Sequence, residues 1–496
     1  MDLLADIWAW ATTIHKSDNA QMFWLADVAG AGKSSIAHTF AQRCREHGIL
    51  ASSFFFDRET AGRNGPQKLF STIARDLASI SEDIAEQIGQ AIDRDPSLAT
   101  APILRQFEDL IENPSKILTV SRPVVIVVDA LDEGYNHNID LLTILGDKIP
   151  QLPPNFRIFM TSRAEEDIEQ FLHSKSHIER RSMNIQEQPN KNDVAIYIQH
   201  RLKEIATRRK LGPHWPNQKC VNAFIKKAEG LMIWAATVCD FLAVQLDPSK
   251  HLNALLTARS QLGLRAEVKM DKLYSDILST CNWDDDDFVQ GYDVLVGAIM
   301  AAKIPLSASA LQHLRDTSLA VGVIDILRPL GSLLTGLSEE NEPIRILHLS
   351  FRDFLTVRAQ SSRCSRYYIN EKEHSQKLAL ACISIMNDNL KRDICGIGDV
   401  SIQISEIEGI KDIVQMCISE ELAYACIFWT DHIVDVDGVS LPILDALRDL
   451  LSKKLLHWIE VMSLKNGIQD ATQSLEKLKS WLKARIILVL ILHSPH

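Results

Sequence analysis

At 496 residues the chain is too long for a single hydrophobic core, and roughly two to four domains are expected. With 46% hydrophobic and 24% charged residues it has the composition of a folded protein, which excludes a largely disordered one. A net charge of −11 argues against broad electrostatic binding to DNA or RNA, and nine scattered cysteines without a CxxC pair suggest buried thiols in a reducing compartment.

Residues 1–20 read as an amphipathic helix with no secretory signal. Met22-Phe23-Trp24-Leu25 reads as a buried strand. Lys33 to His47 reads as a helix with Ile36, Ala37, Phe40 and Cys44 on one face. Between them lies Asp27-Val28-Ala29-Gly30-Ala31-Gly32-Lys33-Ser34, a phosphate-binding loop (P-loop) with Asp27 where the strict pattern has Gly. Leu50 to Phe56 is a second strand, followed by helices near 67–79, 81–93 and 103–111. Pro123 to Val128 is the clearest strand of the chain, Phe156 to Met160 another, and Ile178 to Ile185 a weaker one. This alternation predicts a parallel sheet with helices on both faces.

Beyond Asn190 the pattern turns helical, at Asp193–Arg208 and Gln218–Leu246. Asp284 to Asp287 reads as a solvated helix start, with carboxylates near the positive end of the dipole. Leu333-Leu334-Thr335 and Ile344 to Leu347 form a strand-turn-strand pattern among helices, as in a small winged-helix unit. The remainder from Tyr367 is helical without a fixed repeat. Its one greasy run, Ile486 to Leu492, is far short of the roughly 20 residues a membrane span needs. The predicted organisation is a helix or linker over 1–20 and an α/β P-loop nucleotide-binding domain over 21–190. A helical domain over 191–282, a winged-helix domain over 283–360 and a C-terminal helical domain over 361–496 follow.

The chemistry concentrates at three places. Backbone amides of Ala29, Gly30, Ala31 and Gly32 and the helix start at Lys33, Ser34 and Ser35 are placed to hold nucleotide phosphates. Lys33 adds a cation and Ser34 a hydroxyl for Mg²⁺. Asp129, at the end of the buried strand, is the second Mg²⁺ residue, and Asp132 and Glu133 are placed to orient or activate a water. Arg163, after the 156–160 strand, would face the γ-phosphate. Asp27 carries two possible costs: about 1–2 kcal/mol if its φ must be positive, and about 2 kcal/mol if its carboxylate lies about 8 Å from a phosphate charge. Trp234, Trp283 and Trp429 sit on apolar helical faces and read as core.

Ala29 to Ser34, Ser53 to Phe56, Asp129 to Glu133 and Thr161-Ser162-Arg163 resemble fungal NACHT-domain proteins of the STAND class of signalling NTPases, among them vegetative-incompatibility and NACHT–WD40 proteins. Glu229 to Ala236 and Leu273 to Leu278 resemble segments of that family's helical domain. His348 to Leu355 resembles its winged-helix motif, and Asn389 to Cys395 and Tyr424 to Trp429 resemble segments beyond it. The resemblance implies a switch that binds and slowly hydrolyses ATP or GTP with Mg²⁺, self-associates and meets partner signalling proteins in the cytoplasm, in non-self recognition or cell death. It also implies that His348 contacts the diphosphate of bound ADP. Members commonly carry an effector domain before this region and WD40, ankyrin or TPR arrays after it. None is visible here, so the expectation is the central switch alone, a truncated product or a fragment.

The alternative of another class is a nucleotide-blind protein-interaction scaffold with a degenerate loop. A small-molecule kinase is disfavoured by the Asp132-Glu133 pair, and an AAA+-style motor by the lack of a convincing trans-acting arginine finger.

Overall fold

The computed structural model describes residues 2–13, 20–60, 62–118, 122–134, 138–183, 187–212, 214–257, 263–315, 321–360, 363–398, 407–436 and 441–492. They form two compact units, Met1–Met270 and Asp271–His496.

The first unit is built on a five-stranded, all-parallel sheet of β1 (Met22–Ala26), β2 (Leu50–Phe55), β3 (Val124–Asp129), β4 (Phe156–Ser162) and β5 (Ile178–Arg181), in the order β2-β3-β4-β1-β5. β1 thus lies between β4 and β5, and β3 between β2 and β4, so the chain segments leaving β1, β3 and β4 emerge side by side. The central strands are buried on both faces, which is why they read as largely apolar runs. Phe23, Leu25, Val125, Val127 and Phe159 point to one face, against α1 (Asp2–Thr12) and α2 (Lys33–Glu46) through Ile7, Trp10, Ala37, Phe40 and Cys44. Met22, Trp24, Ile126, Val128, Ile158 and Met160 point to the other, against α3 (Leu69–Ala78) and α4 (Glu82–Arg94) among others.

The boundaries differ from the sequence reading in instructive places. α1 ends at Thr12, and residues 14–19 lie outside the described set. Ile36 is half-buried and packs at the margin of the core, which Ala41 also joins. β5 stops at Arg181. After the long helix α5 (Gln188–Arg209), the stretch expected as continuous over 218–246 is two helices, α6 (Gln218–Ala228) and α7 (Met232–Val244). The break is at Glu229 and Gly230, both in the left-handed region with φ 51° and 79°.

The second unit is almost wholly helical. Asp285 caps α8 (Asp286–Ala301) by accepting from the amides of Asp287 and Phe288, the local role its acidic run suggested. The strand-turn-strand pattern is a two-stranded antiparallel ladder, β6 (Leu334–Thr335) with β7 (Arg345–Ile346), followed by α9 (Leu349–Thr356). α10 (Glu371–Asn389) and α11 (Glu420–Val434) pack closely, and Trp429 stacks edge-on against Trp458 at 5.7 Å. Trp234 and Trp429 are core residues, and Trp283 is half-buried within an aromatic cluster with Phe288, Tyr292 and Tyr367. All nine cysteines are free. Among the described residues no helix is long and apolar enough to cross a membrane.

Phe159 is fully buried and meets Phe40 edge-on at 5.1 Å and Phe23 at 6.0 Å. Phe159→Ala opens a cavity at the junction of β4, β1 and α2 and is expected to lower unfolding free energy by about 3–5 kcal/mol in urea titration.

Candidate functional site

The chain leaves β1 at Ala26 and turns into α2 through Gly30 and Gly32, whose φ angles of 76° and 98° favour glycine. Gly32 is the N-cap of α2 and brings no side-chain cap. The helix start at Lys33, Ser34 and Ser35 therefore carries the free N–H groups that a phosphate would satisfy. Ala29 and Gly30 are half-buried, Ala31 is buried, and Ser34 and Ser35 are exposed. Lys33 is 9% exposed, and its Nζ donates to the carbonyls of Asp27 at 2.8 Å and Val28 at 2.9 Å. Burial pulls its pKa below the usual lysine value, opposed by the carboxylates of Asp132 and Asp27.

Asp27 has no positive φ, so the backbone cost that its replacement of Gly could carry does not arise. Its carboxylate is engaged locally, accepting from the Val28 amide at 2.6 Å and from the Met183 amide beyond β5. Burial raises its pKa, with those two amides and Lys33 and Arg180 acting against the rise. Asp27 therefore ties the loop to the segment after β5.

Asp129 ends β3 at 4% exposure, next to Thr161 of β4. The Thr161 hydroxyl donates to Asp129 Oδ1 at 2.5 Å, and the Ser34 hydroxyl also bonds the carboxylate. Burial raises the Asp129 pKa and these two hydroxyls lower it. The next residue, Ala130, adopts φ 55°, and its amide donates to Thr161 Oγ1 at 2.9 Å. That left-handed residue costs roughly 1–2 kcal/mol and swings the chain into the short helix Leu131–Gly134 that carries Asp132 and Glu133.

Asp132 and Arg163 form a pair. Asp132 Oδ1 accepts from the Arg163 amide at 2.8 Å, and Oδ2 lies 3.2 Å from Arg163 Nε, with the two side chains 5% and 24% exposed. The two residues expected on the γ-phosphate and on the attacking water are thus held to one another. Glu133 is different. Burial, with the charges of Asp132 and Asp57, pushes its carboxyl up to about 7, against the opposing pull of Arg163 and Arg58. Arg58, on the loop after β2, donates to the Asp132 carbonyl at 3.4 Å and is a cation of this cluster that the sequence reading did not single out.

The structure also puts Ile233 and Met183 against the loop. The Ile233 amide, in the first turn of α7, donates to the Gly30 carbonyl at 3.3 Å, and a Cβ added at Gly30 would lie 2.0 Å from Ile233 Cγ2. Met183 Cε lies 3.9 Å from a Cβ added at Gly32. The sequence signals near Ile233 were the resemblance of Glu229 to Ala236 to a helical-domain segment and the Glu229-Gly230 pair, and neither says what this turn packs on.

His348 stands in the second unit as the N-cap of α9, its Nδ1 accepting from the Ser350 amide at 3.1 Å and lying 2.7 Å from Ser350 Oγ. Ser350 Oγ in turn is 2.7 Å from the hydroxyl of the buried Tyr274. Among the described residues no group of three or more His, Cys, Asp or Glu could hold a metal ion.

A carboxyl held near 7 binds its proton more tightly in the folded than in the unfolded chain, so its contribution to stability falls as pH rises from about 4.5 to about 7. Glu133→Gln is therefore expected to raise stability at pH 8 by on the order of 2–4 kcal/mol relative to its effect at pH 4.5. Denaturant titrations of both proteins across that range check the sign; an unchanged difference would mean that Glu133 titrates normally.

Residues 5–163 match the family model for the nephrocystin-3 N-terminal region. The chain is 23% identical over 522 aligned positions to the vegetative incompatibility protein HET-E-1 of Podospora anserina, covering 97% of this chain and 36% of the relative's length. A chain in the structure of Drosophila ORC bound to DNA aligns over 75% of this chain and 95% of its own at 14% identity, with a TM-score of 0.34, too slight a likeness to carry an argument. The match to the incompatibility protein runs through both units, and the chain is a relative of the fungal NACHT-type incompatibility proteins that its motifs resemble.

Proposed function

We propose that this chain is a nucleotide-dependent signalling switch of the NACHT type, binding ATP or GTP at the loop after β1 and hydrolysing it slowly. The observation that carries the reading is the convergence of Gly30, Gly32, Lys33, Ser34, Asp129, Glu133 and the Asp132–Arg163 pair where β1, β3 and β4 end side by side. Ligands of parallel sheets bind at this edge.

The residues fit a magnesium nucleotide. Ser34 and Asp129 are hard oxygen donors already bonded to each other, the chemistry Mg²⁺ takes, and phosphate oxygens and water would supply the rest of its shell. Bound there, the ion would neutralise phosphate charge. Lys33 would exchange the carbonyls of Asp27 and Val28 for phosphate oxygens. Glu133, with a pKa near neutrality, suits the proton-accepting role toward the attacking water better than Asp132, whose two oxygens are occupied by Arg163. Arg163 would leave Asp132 for the γ-phosphate only in the triphosphate state, a differential contact of the kind a two-state switch requires. By family resemblance His348 would read the diphosphate from the winged-helix region, and the output would be self-association and contact with partner signalling proteins in the cytoplasm.

Two experiments test the reading. Fluorescent ATP and GTP analogues with Mg²⁺ are expected to bind with Kd on the order of micromolar and to lose at least about a hundredfold in Lys33→Ala. Absence of binding to folded wild type up to millimolar concentration would favour the nucleotide-blind scaffold. Asp27→Gly is expected to gain less than about tenfold, because Asp27 needs no positive φ and its carboxylate is already bonded to two amides. A larger gain in the same titration would mean that the carboxylate repels the phosphates.

A further inference from the structure

We propose that the first turn of α7 is a positioning element for the phosphate loop, acting through the main-chain amide of Ile233. This deepens the nucleotide-binding reading above and rests on it. Ile233 is the second residue of α7, where a helix leaves its N–H groups without an intrahelical acceptor. That amide is spent on the Gly30 carbonyl at 3.3 Å. The Gly30–Ala31 peptide is trans, so its carbonyl and its N–H point in opposite directions. A Gly30 carbonyl turned toward α7 therefore turns the Ala31 N–H away from α7, to the opposite side of the loop.

The turn that brings Ile233 there is braced. Glu229 pairs with Lys269 at 2.9 Å, Lys269 being only 2% exposed, and accepts from the Gly263 amide at 2.9 Å. Lys269 also donates to the Ala228 carbonyl at 3.1 Å, and Asn190 donates to the Gly230 carbonyl at 2.7 Å. Gly30 is the residue this contact demands, since any Cβ there would overlap Ile233. A free glycine at φ 76° can flip its peptide at little cost; one held from α7 keeps the Ala31 amide presented to a phosphate.

The test compares loss of the N–H with loss of the side chain alone. Ile233→Pro deletes the donor, and the isoleucine side chain with it, at a first-turn position that tolerates proline. Ile233→Ala keeps the donor while removing the packing, and replacing the Met232–Ile233 peptide by an ester deletes the donor alone. Binding of a fluorescent ATP analogue with Mg²⁺, and of inorganic tripolyphosphate, is measured for each variant and wild type, with thermal melting to confirm folding. The expected result is at least a tenfold rise in Kd for Ile233→Pro and for the ester, and less than threefold for Ile233→Ala. Wild-type affinity in Ile233→Pro or the ester, or an equal loss in Ile233→Ala, would overturn the positioning role while leaving the nucleotide reading intact. Absence of binding by wild type to either probe would overturn both. Should Ile233→Pro fail to fold, the ester deletes the same N–H without a ring, and the same fold-changes decide.

Discussion

The buried carboxylate of Asp129 is the point on which the arrangement of this site depends. At 4% exposure it would be costly without hydrogen bonds, and it has them from Thr161 of the neighbouring strand and from Ser34 of the loop helix. Three separate chain segments are thereby fixed at one end of the sheet by one side chain. Thr161 does double duty, since its oxygen also accepts the amide of Ala130, the left-handed residue that redirects the chain toward Asp132 and Glu133. The parallel register Val128↔Met160 puts these residues side by side, so their positions follow from strand order rather than from loop conformation.

Around that point the site gathers charge that the fold alone would not choose. Burial raises the pKa values of Glu133 and Glu165, and the charge of Asp132 adds to both, with Asp57 acting on Glu133 and Asp167 on Glu165. Arg58 and Arg163 offset part of this. Such an arrangement lowers stability near neutral pH, and perturbed groups of this kind concentrate where chemistry or binding needs them. Asp27 is a contrasting case. It also is a carboxylate partly removed from water, yet its amide partners, Val28 and Met183, give it a structural role. The departure from the strict loop pattern is thus absorbed by a local hydrogen-bond arrangement, not by strain at residue 27.

What the sequence made legible was whatever depends on local pattern. The strands 22–26, 124–129 and 156–162 are largely apolar because both sheet faces are covered, and the glycines at 30 and 32 mark backbone that side chains disfavour. The loop, Asp129 and the acidic pair could be placed because each follows a recognisable strand. The partners of those residues were not legible. Nothing in the spacing of Asp132 and Arg163 says that they pair, because the contact depends on β4 lying next to β3. Arg58 was hidden in a polar loop, and Ile233 lay some 200 residues from the glycine it covers. The helix expected over 218–246 was misjudged because its apolar periodicity continues across Glu229-Gly230, where two left-handed residues interrupt it.

These partners bear on how a switch could be built from this edge. A ligand shifts an equilibrium only by the difference in its contacts to the two states. Lys33 and Arg163, the cations nearest the expected phosphates, already have protein acceptors: the loop carbonyls for one and Asp132 for the other. Taking up a phosphate would thus exchange contacts rather than add them, and the net gain would be the small difference between two satisfied arrangements. Differences of that size make a reversible device, whereas an unpaired buried cation would bind an anion tightly and release it poorly. The Asp132–Arg163 pair has the further property that its loss is felt at Glu133, because Asp132 is one of the charges raising that carboxyl and Arg163 one of those lowering it. Moving the guanidinium away from the acids would raise Glu133 further, so the position of one arginine would govern both the phosphate contact and the basicity of the group beside it.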